Sequence, residues 1–394
     1  MQGYQRKLPH PYMDDIHGGD VWSVAERYDL PVDKIIDFSA SINPLFLSHK
    51  IKHLIVRNME SLRHYPDPHY KKLRSSLAES IDVSPENILV GNGSTEFIYS
   101  LLRVLKPENV LIPVPSFSEY EIASRQMDAN PVFLFLSESD SFKLPLQLVI
   151  DALRGIQILF LCNPHNPTGV LYEKGEVLRI IEECEKRGIW VILDEAFIEF
   201  IPDFKKVSFA SESLKRKNLI VLRSLTKFFA IPGLRLGFVV GHEDIIKKIK
   251  YTQEPWQVNA VANAVGCEIV KDLTYISQSL ELIKKERAFL LLELENLNGL
   301  KLFSSVTNFI MASLTPLNPP LESGDFLSPA MSKGGNRGIT SKGLHSILAS
   351  KGILIRDLST MRGLDTRFFR FAVRDRSDNK KLIHAIKEAL SNVC

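Results

Sequence analysis

Between residues 88 and 240 the chain repeats one arrangement: a short run of apolar, often β-branched residues, followed in most cases by a gap long enough for a helix. The runs are "ILV" at 88, "NVLI" at 109, "VFLFL" at 132, "QILFLC" at 157, "WVILD" at 190, "LIVL" at 219 and "LRLGFVV" at 234. Their apolarity is continuous rather than alternating, as in strands covered on both faces. The pattern therefore predicts an α/β layer built on a mostly parallel, seven-stranded sheet. The gaps support this. After "GNG" at 91–93, Ser94 is placed to cap a helix whose Phe97, Ile98, Leu101, Leu102 and Leu105 form one apolar stripe. "EVLRIIEECEKRG" ends in basic residues and Gly188, as helix C-termini do.

The flanks read differently. Residues 1–50 are loop-rich and form an amino-terminal arm, and residues 51–275 make the large domain. Residues 276–394 combine the charged helix pattern "ISQSLELIKKERAFLLLELENL" with two strand-like runs, "NFIMASL" and "FFRFAVR". That combination predicts a smaller α+β domain, which includes the arm. From Thr315 to Ser341 the chain is rich in Pro, Gly and Ser and reads as a mobile loop within that domain. No internal repeat is visible.

A length of 394 residues exceeds what one core usually supports, in keeping with two domains. With 49 basic against 46 acidic residues, dispersed along the chain, the sequence argues against a nucleic-acid or membrane-surface binder and for small-molecule chemistry. Cys162, Cys184, Cys267 and Cys394 lie far apart with no Cys-x-x-Cys pair, which speaks against a zinc site or a disulfide framework and fits a reducing cytoplasm. The first twenty residues lack the apolar core of a signal peptide, and no run approaches the roughly 18 apolar residues of a membrane span.

In open α/β sheets ligands gather outside the carboxyl ends of the strands. Four such ends carry polar groups. Gly91-Asn92-Gly93-Ser94-Thr95 offers close backbone approach and the free N–H groups of a helix N-terminus to an anion such as phosphate, though a capped tight turn explains it equally well. "LCNPHNPTG" places Asn163 and Asn166 among prolines, which is also what a rigid turn looks like. "VILDEAF" carries Asp194 and Glu195 out of an apolar strand, where a carboxylate needs a cation; no His or Cys cluster supplies the ligands of a metal. In "VLRSLTKFFAIPGLRLGF", Lys227 is either a snorkelling lysine or a partly neutral amine able to form a Schiff base with an aldehyde. Ser224, Thr226 and Arg235 suit a phosphate beside it. One ligand answers all four ends: pyridoxal 5'-phosphate (PLP), which carries an aldehyde, a phosphate and a basic ring nitrogen.

From "DFSASINP" through "RHYPDP", "GNGSTE", "NPHNPTG", "LDEAF" and "SLTKFFAIPGLRLG" to "FFRFAVR", the chain resembles the fold-type I PLP enzymes of the class I/II aminotransferase superfamily. The resemblance implies the PLP-transferase fold of aspartate aminotransferase. Within the superfamily the chain resembles histidinol-phosphate aminotransferases and, more closely, the cobalamin-pathway L-threonine-O-3-phosphate decarboxylases. The second likeness rests on "HGGDVWSVAERYDLPVDKIIDFSASINPL", "DEAFIEFIP" and "RSLTKFFAIPGLRLGF".

The resemblance also implies roles. Lys227 joins the cofactor aldehyde as a Schiff base, Asp194 pairs with the protonated pyridine nitrogen, Asn166 bonds the ring hydroxyl and Phe117 stacks on the ring. Gly93, Ser94, Thr95, Ser224 and Arg235 hold the cofactor phosphate, with Tyr65 reaching in from the second subunit of a homodimer. Arg370 grips the substrate α-carboxylate and Arg356 its phosphate, with His17 and Asn43 as candidates to assist. Phe197 stands where many aminotransferases carry a tyrosine, so the ring hydroxyl leans more on Asn166. The activity implied is decarboxylation of L-threonine O-3-phosphate to (R)-1-aminopropan-2-yl phosphate and CO2. A 2-oxoglutarate-dependent aminotransferase of the histidinol-phosphate type needs the same groups, and a non-enzymatic relative of the fold is the remaining reading.

Overall fold

The computed structural model describes residues 17–315 and 339–391. Nearly all of the Pro/Gly/Ser-rich stretch lies outside the described residues, as do Cys394 and most of the first twenty residues.

All seven apolar runs form strands. After β1 (Ile36–Asp37) in the arm come β2 (Ile88–Asn92), β3 (Asn109–Val114), β4 (Asn130–Phe135), β5 (Ile158–Cys162), β6 (Trp190–Asp194), β7 (Leu219–Ser224) and β8 (Leu236–Gly241). The large sheet has the order β2-β8-β7-β6-β5-β3-β4. Strand β8 runs antiparallel to both of its neighbours, and the remaining pairs are parallel.

Burial on both faces explains the missing alternation. Ile158, Phe160 and Cys162 face one apolar cluster, with Phe97, Ile98 and Leu101 of the helix Thr95–Leu105. Leu159 and Leu161 face the other, with Ile180 and Val265, and this second cluster continues into the small domain through Phe309 and Phe371. Each fully buried side chain of this kind contributes about 1.5–3 kcal/mol.

The small domain adds β9 (Leu300–Leu302), β10 (Phe309–Leu314), β11 (Ile353–Leu354), β12 (Arg356–Asp357) and β13 (Phe368–Ala372). An antiparallel sheet has the order β12-β13-β10-β9, while β11 pairs in parallel with β1 and ties the arm to this domain. Only β10 and β13 match the two expected runs; the others are two or three residues long, too short for a hydrophobic period to register.

The arm also departs from the loop-rich expectation. Residues Val21–Tyr28 form a helix capped by Asp20, whose side chain accepts from the Ser23 N–H. Val24 packs on Ala349 and Leu354, and the Tyr28 hydroxyl donates to the Ser346 carbonyl. The signal was present in "DVWSVAERY", an Asp cap followed by apolar positions at 21, 24 and 28.

Strands β2, β3, β5, β6 and β7 end at one edge of the large sheet, and β8, running the other way, begins there. The winding reverses between β3 and β5, so the polar strand ends converge at the switch point where such sheets bind ligands.

Candidate active site at the carboxyl edge of the sheet

The turn after β2 forms an anion cradle. Gly93 has φ +82°, and a Cβ there would stand 2.8 Å from Arg235 Nη2. Gly237, the register partner of Ser224, is equally constrained, since its Cβ would stand 2.4 Å from the Ser94 nitrogen. Two positions without side chains thus allow Arg235, Ser224 and the start of the helix Thr95–Leu105 to crowd together, with the helix N–H groups directed outward. Among the described residues no carboxylate pairs with Arg235. Ser94 does not cap through its side chain as expected. Its backbone is already helical (φ −66°, ψ −25°), and its hydroxyl makes no capping bond, which leaves it for a ligand.

Lys227 follows β7. Its Nζ donates to Ser224 Oγ at 3.1 Å, and that hydroxyl shares a 2.8 Å hydrogen bond with Thr226 Oγ1. Burial pushes the amine below the ordinary lysine range; the Asp194 carboxylate opposes this and the Arg235 charge adds to it. Asp194 ends β6 and is shifted the other way. Burial pushes its carboxyl up, against the Tyr120 hydrogen bond and the Lys227 charge. Its Oδ1 accepts from the Ala196 N–H at 2.9 Å and its Oδ2 from the Tyr120 hydroxyl at 2.7 Å. Sequence reasoning missed Tyr120. The available signal was its spacing, three residues after Phe117, which brings both rings to one side of the chain as it enters the helix Glu119–Gln126. Tyr120 stacks on Phe160 at 4.7 Å and meets Phe117 edge-on at 5.7 Å.

Glu195, next to Asp194, belongs to a different network. It pairs with Arg223 (3.4 Å), which binds Glu199 more closely (2.7 Å), and it also accepts from Ser208 Oγ and the Phe209 N–H. This buried group has the cation that a carboxylate at a strand end requires.

Arg370 lies on β13, with its guanidinium over the Phe309 ring. Its Nη1 donates to Asn166 Oδ1 and its Nη2 to the Ser39 carbonyl at 3.2 Å, while the buried Nε has no partner among the described residues. Arg356 on β12 is the register partner of Arg370, so both side chains project from one face of the small sheet. Burial, and then the neighbouring Arg356 charge, lowers the proton affinity of Arg370. An arginine still keeps its proton, so the pair amounts to two adjacent positive charges suited to anions.

His17 lies at the mouth of the site, 5.9 Å from the Phe117 ring, with Nε2 2.7 Å from Glu119 Oε1. Gly18 packs against Ser39, where a Cβ would stand 2.3 Å from the carbonyl oxygen; the "HGG" segment therefore lies on the residue that anchors Arg370. Tyr65 is 78% exposed, and its ring lies 4.6 Å from that of Trp256 at a tilt of 31°. Phe197 packs edge-on against Phe309 at 5.0 Å.

Asn43 departs from the expectation that it assists the substrate. It is fully buried. Its Nδ2 donates to the Phe228 carbonyl and to Ser279 Oγ, both at 2.7 Å, its Oδ1 accepts from the Leu45 N–H, and its own N–H donates to the Lys227 carbonyl. With these bonds made, it fastens the arm to the Lys227 loop and the long helix. Among the described residues no cluster of three or more His, Cys, Asp or Glu side chains could hold a metal.

A family model, "Aminotransferase class I and II", matches residues 33–386. The chain belongs to that family. It is 38% identical over 94% of its length, and 93% of the relative's, to a Caldanaerobacter subterraneus protein provisionally named a threonine-phosphate decarboxylase. It is 33% identical to the Salmonella typhimurium threonine-phosphate decarboxylase, covering 96% of this chain and 97% of that one. Among solved structures, the Clostridium acetobutylicum histidinol-phosphate aminotransferase matches with a TM-score of 0.79 at 31% identity, over 90% of this chain and 99% of the other. The α/β layer with its seven-stranded sheet is the PLP-transferase fold of these aminotransferases.

Proposed function

We propose that this protein is a PLP-dependent decarboxylase of L-threonine O-3-phosphate, releasing CO2 and (R)-1-aminopropan-2-yl phosphate for cobalamin synthesis. The observation that carries the reading is the placing of Arg356 opposite Arg370, whose guanidinium meets Asn166 at the carboxyl edge of the large sheet. Two guanidinium groups on adjacent strands suit a small substrate that presents a carboxylate and a phosphate of about −1.5 to −2 charge. The relatives named for this activity cover the chain almost end to end.

The residues present fit PLP. The cleared space at Gly93 and Gly237, with Arg235 lacking a carboxylate partner among the described residues, suits a phosphate, and the buried Asp194 suits a protonated ring nitrogen. Lys227, whose amine burial pushes below the ordinary lysine range, supplies an amine for the aldehyde. When bound, PLP supplies the electron sink into which a bond to the substrate Cα can empty.

The chain's own groups decide which bond that is. Arg370, steadied by Phe309 and Asn166, fixes the α-carboxylate, while Arg356 and His17 hold the phosphate end, so the substrate is gripped at two points and cannot rotate. Asn166 also serves the cofactor hydroxyl, because Phe197 has no donor to offer it. Lys227 Nζ returns a proton to Cα once CO2 has left. Tyr65 and the exposed Val56, Met59 and Leu62 form the surface on which a second subunit completes the site.

A second reading, a histidinol-phosphate-type aminotransferase, is favoured by the 31% identity to the Clostridium enzyme. One assay separates the two: CO2 release from L-threonine O-3-phosphate with PLP, with and without 2-oxoglutarate. Release independent of 2-oxoglutarate is expected. Absence of release, together with 2-oxoglutarate-dependent amino transfer, rejects the decarboxylase.

A further inference from the structure

We propose that Tyr120 is a positioning residue for the cofactor: its hydroxyl fixes the plane of the Asp194 carboxylate and holds it ionised for the pyridine nitrogen of PLP. This rests on the PLP reading above.

The groups facing Asp194 come from four segments. The Ala196 backbone N–H holds Oδ1, the Tyr120 hydroxyl holds Oδ2, Cys162 lies alongside as the register partner on β5, and Lys227 approaches from the loop after β7. Glu195 takes no part, since its carboxylate is engaged by Arg223, Ser208 and Phe209. The Cys162 thiol is pushed well up by burial and by the Asp194 charge, so it remains neutral.

Tyr120 is therefore the side-chain hydrogen-bond donor to Asp194 that does not also have to react. Its own position is fixed, because it is fully buried and its ring is stacked on Phe160 with a 6° interplanar angle. Burial and the neighbouring carboxylate push its phenol well above the ordinary range, so it keeps its proton and always donates. A buried carboxylate that lost this donor would take up a proton at higher pH and would then have no charge to offer a pyridinium.

Tyr120→Phe keeps the ring stack and removes the donor. Affinity of the apoprotein for PLP, measured by equilibrium dialysis across the acid and neutral range, should fall as Asp194 protonates. In the variant the carboxyl is neutral up to a higher pH, so this acid limb should move upward by about one pH unit, a roughly tenfold loss of affinity inside the window, with the curves converging above it. Site-specific 3-fluorotyrosine at position 120, a nearly isosteric and stronger donor, should move the limb to lower pH. In an Asp194→Asn background, Tyr120→Phe should produce no displacement. Equal weakening at every pH, an acid limb that stays put in the fluorotyrosine protein, or a displacement that survives Asp194→Asn would each overturn the proposal. If affinity is lost even above the window, PLP binding itself depends on Tyr120 for packing; if native protein takes up no PLP at any pH, the cofactor reading fails instead.

Discussion

The pairing of Arg356 with Arg370 can be tested by replacing Arg356 with alanine. Directly opposed residues in an antiparallel pair have Cβ atoms about 5 Å apart. Two unit charges roughly 6 Å apart repel by about 3 kcal/mol at an effective dielectric of 20. Arg356 is only partly buried, so solvent reduces this figure. A substrate with two anionic groups relieves the repulsion and adds charge-assisted hydrogen bonds worth about 1.5–3 kcal/mol. Removing Arg356 loses the bonds to the phosphate but also eases the strain on Arg370, so the loss should fall toward the lower part of that range. In the PLP-loaded enzyme, kcat/KM for L-threonine O-3-phosphate should drop by about 10- to 40-fold, mostly through KM. CO2 release from unphosphorylated L-threonine, slow from the outset, should hardly change. Equal losses on both substrates, or no loss on the phosphorylated one, would refute the assignment of Arg356 to the phosphate.

Other substitutions address the remaining parts of the site. Lys227→Ala should abolish covalent retention of PLP after borohydride reduction and dialysis; retention at wild-type stoichiometry would place the Schiff base elsewhere. Asn43→Ala should cost about 2–4 kcal/mol in chemical denaturation, because it leaves buried partners unpaired, and should leave substrate KM nearly unchanged; a raised KM at unchanged stability would restore Asn43 to the substrate site. Arg223→Met leaves Glu195 and Glu199 buried without their cation and should destabilise by about 3–5 kcal/mol near neutrality. Burial already raises the Glu195 carboxyl against the Arg223 charge, so without that cation the deficit should shrink as the pH falls and Glu195 takes up a proton, and a deficit independent of pH would contradict the account.

What the sequence revealed and what it hid follow from the range of the interactions. Strands β2 to β8 were legible because burial on both faces writes itself into consecutive residues, and the four polar strand ends were legible because the chain leaves the sheet at one edge. Lys227, Asp194 and Arg235 come together there without any long-range inference. The Arg356–Arg370 opposition was hidden, because it is a register between strands of two and five residues, and register is a tertiary property. Asn43 and Tyr120 show the same limit from opposite sides. Both are polar residues close to a motif, and the family resemblance pointed to Asn43 and not to Tyr120. Yet Asn43 is used up by Phe228, Ser279 and Leu45, whereas Tyr120 turns its hydroxyl onto the carboxylate that the cofactor needs. A motif locates a site along the chain; whether a side chain has hydrogen bonds left to give is settled only by the elements packed around it.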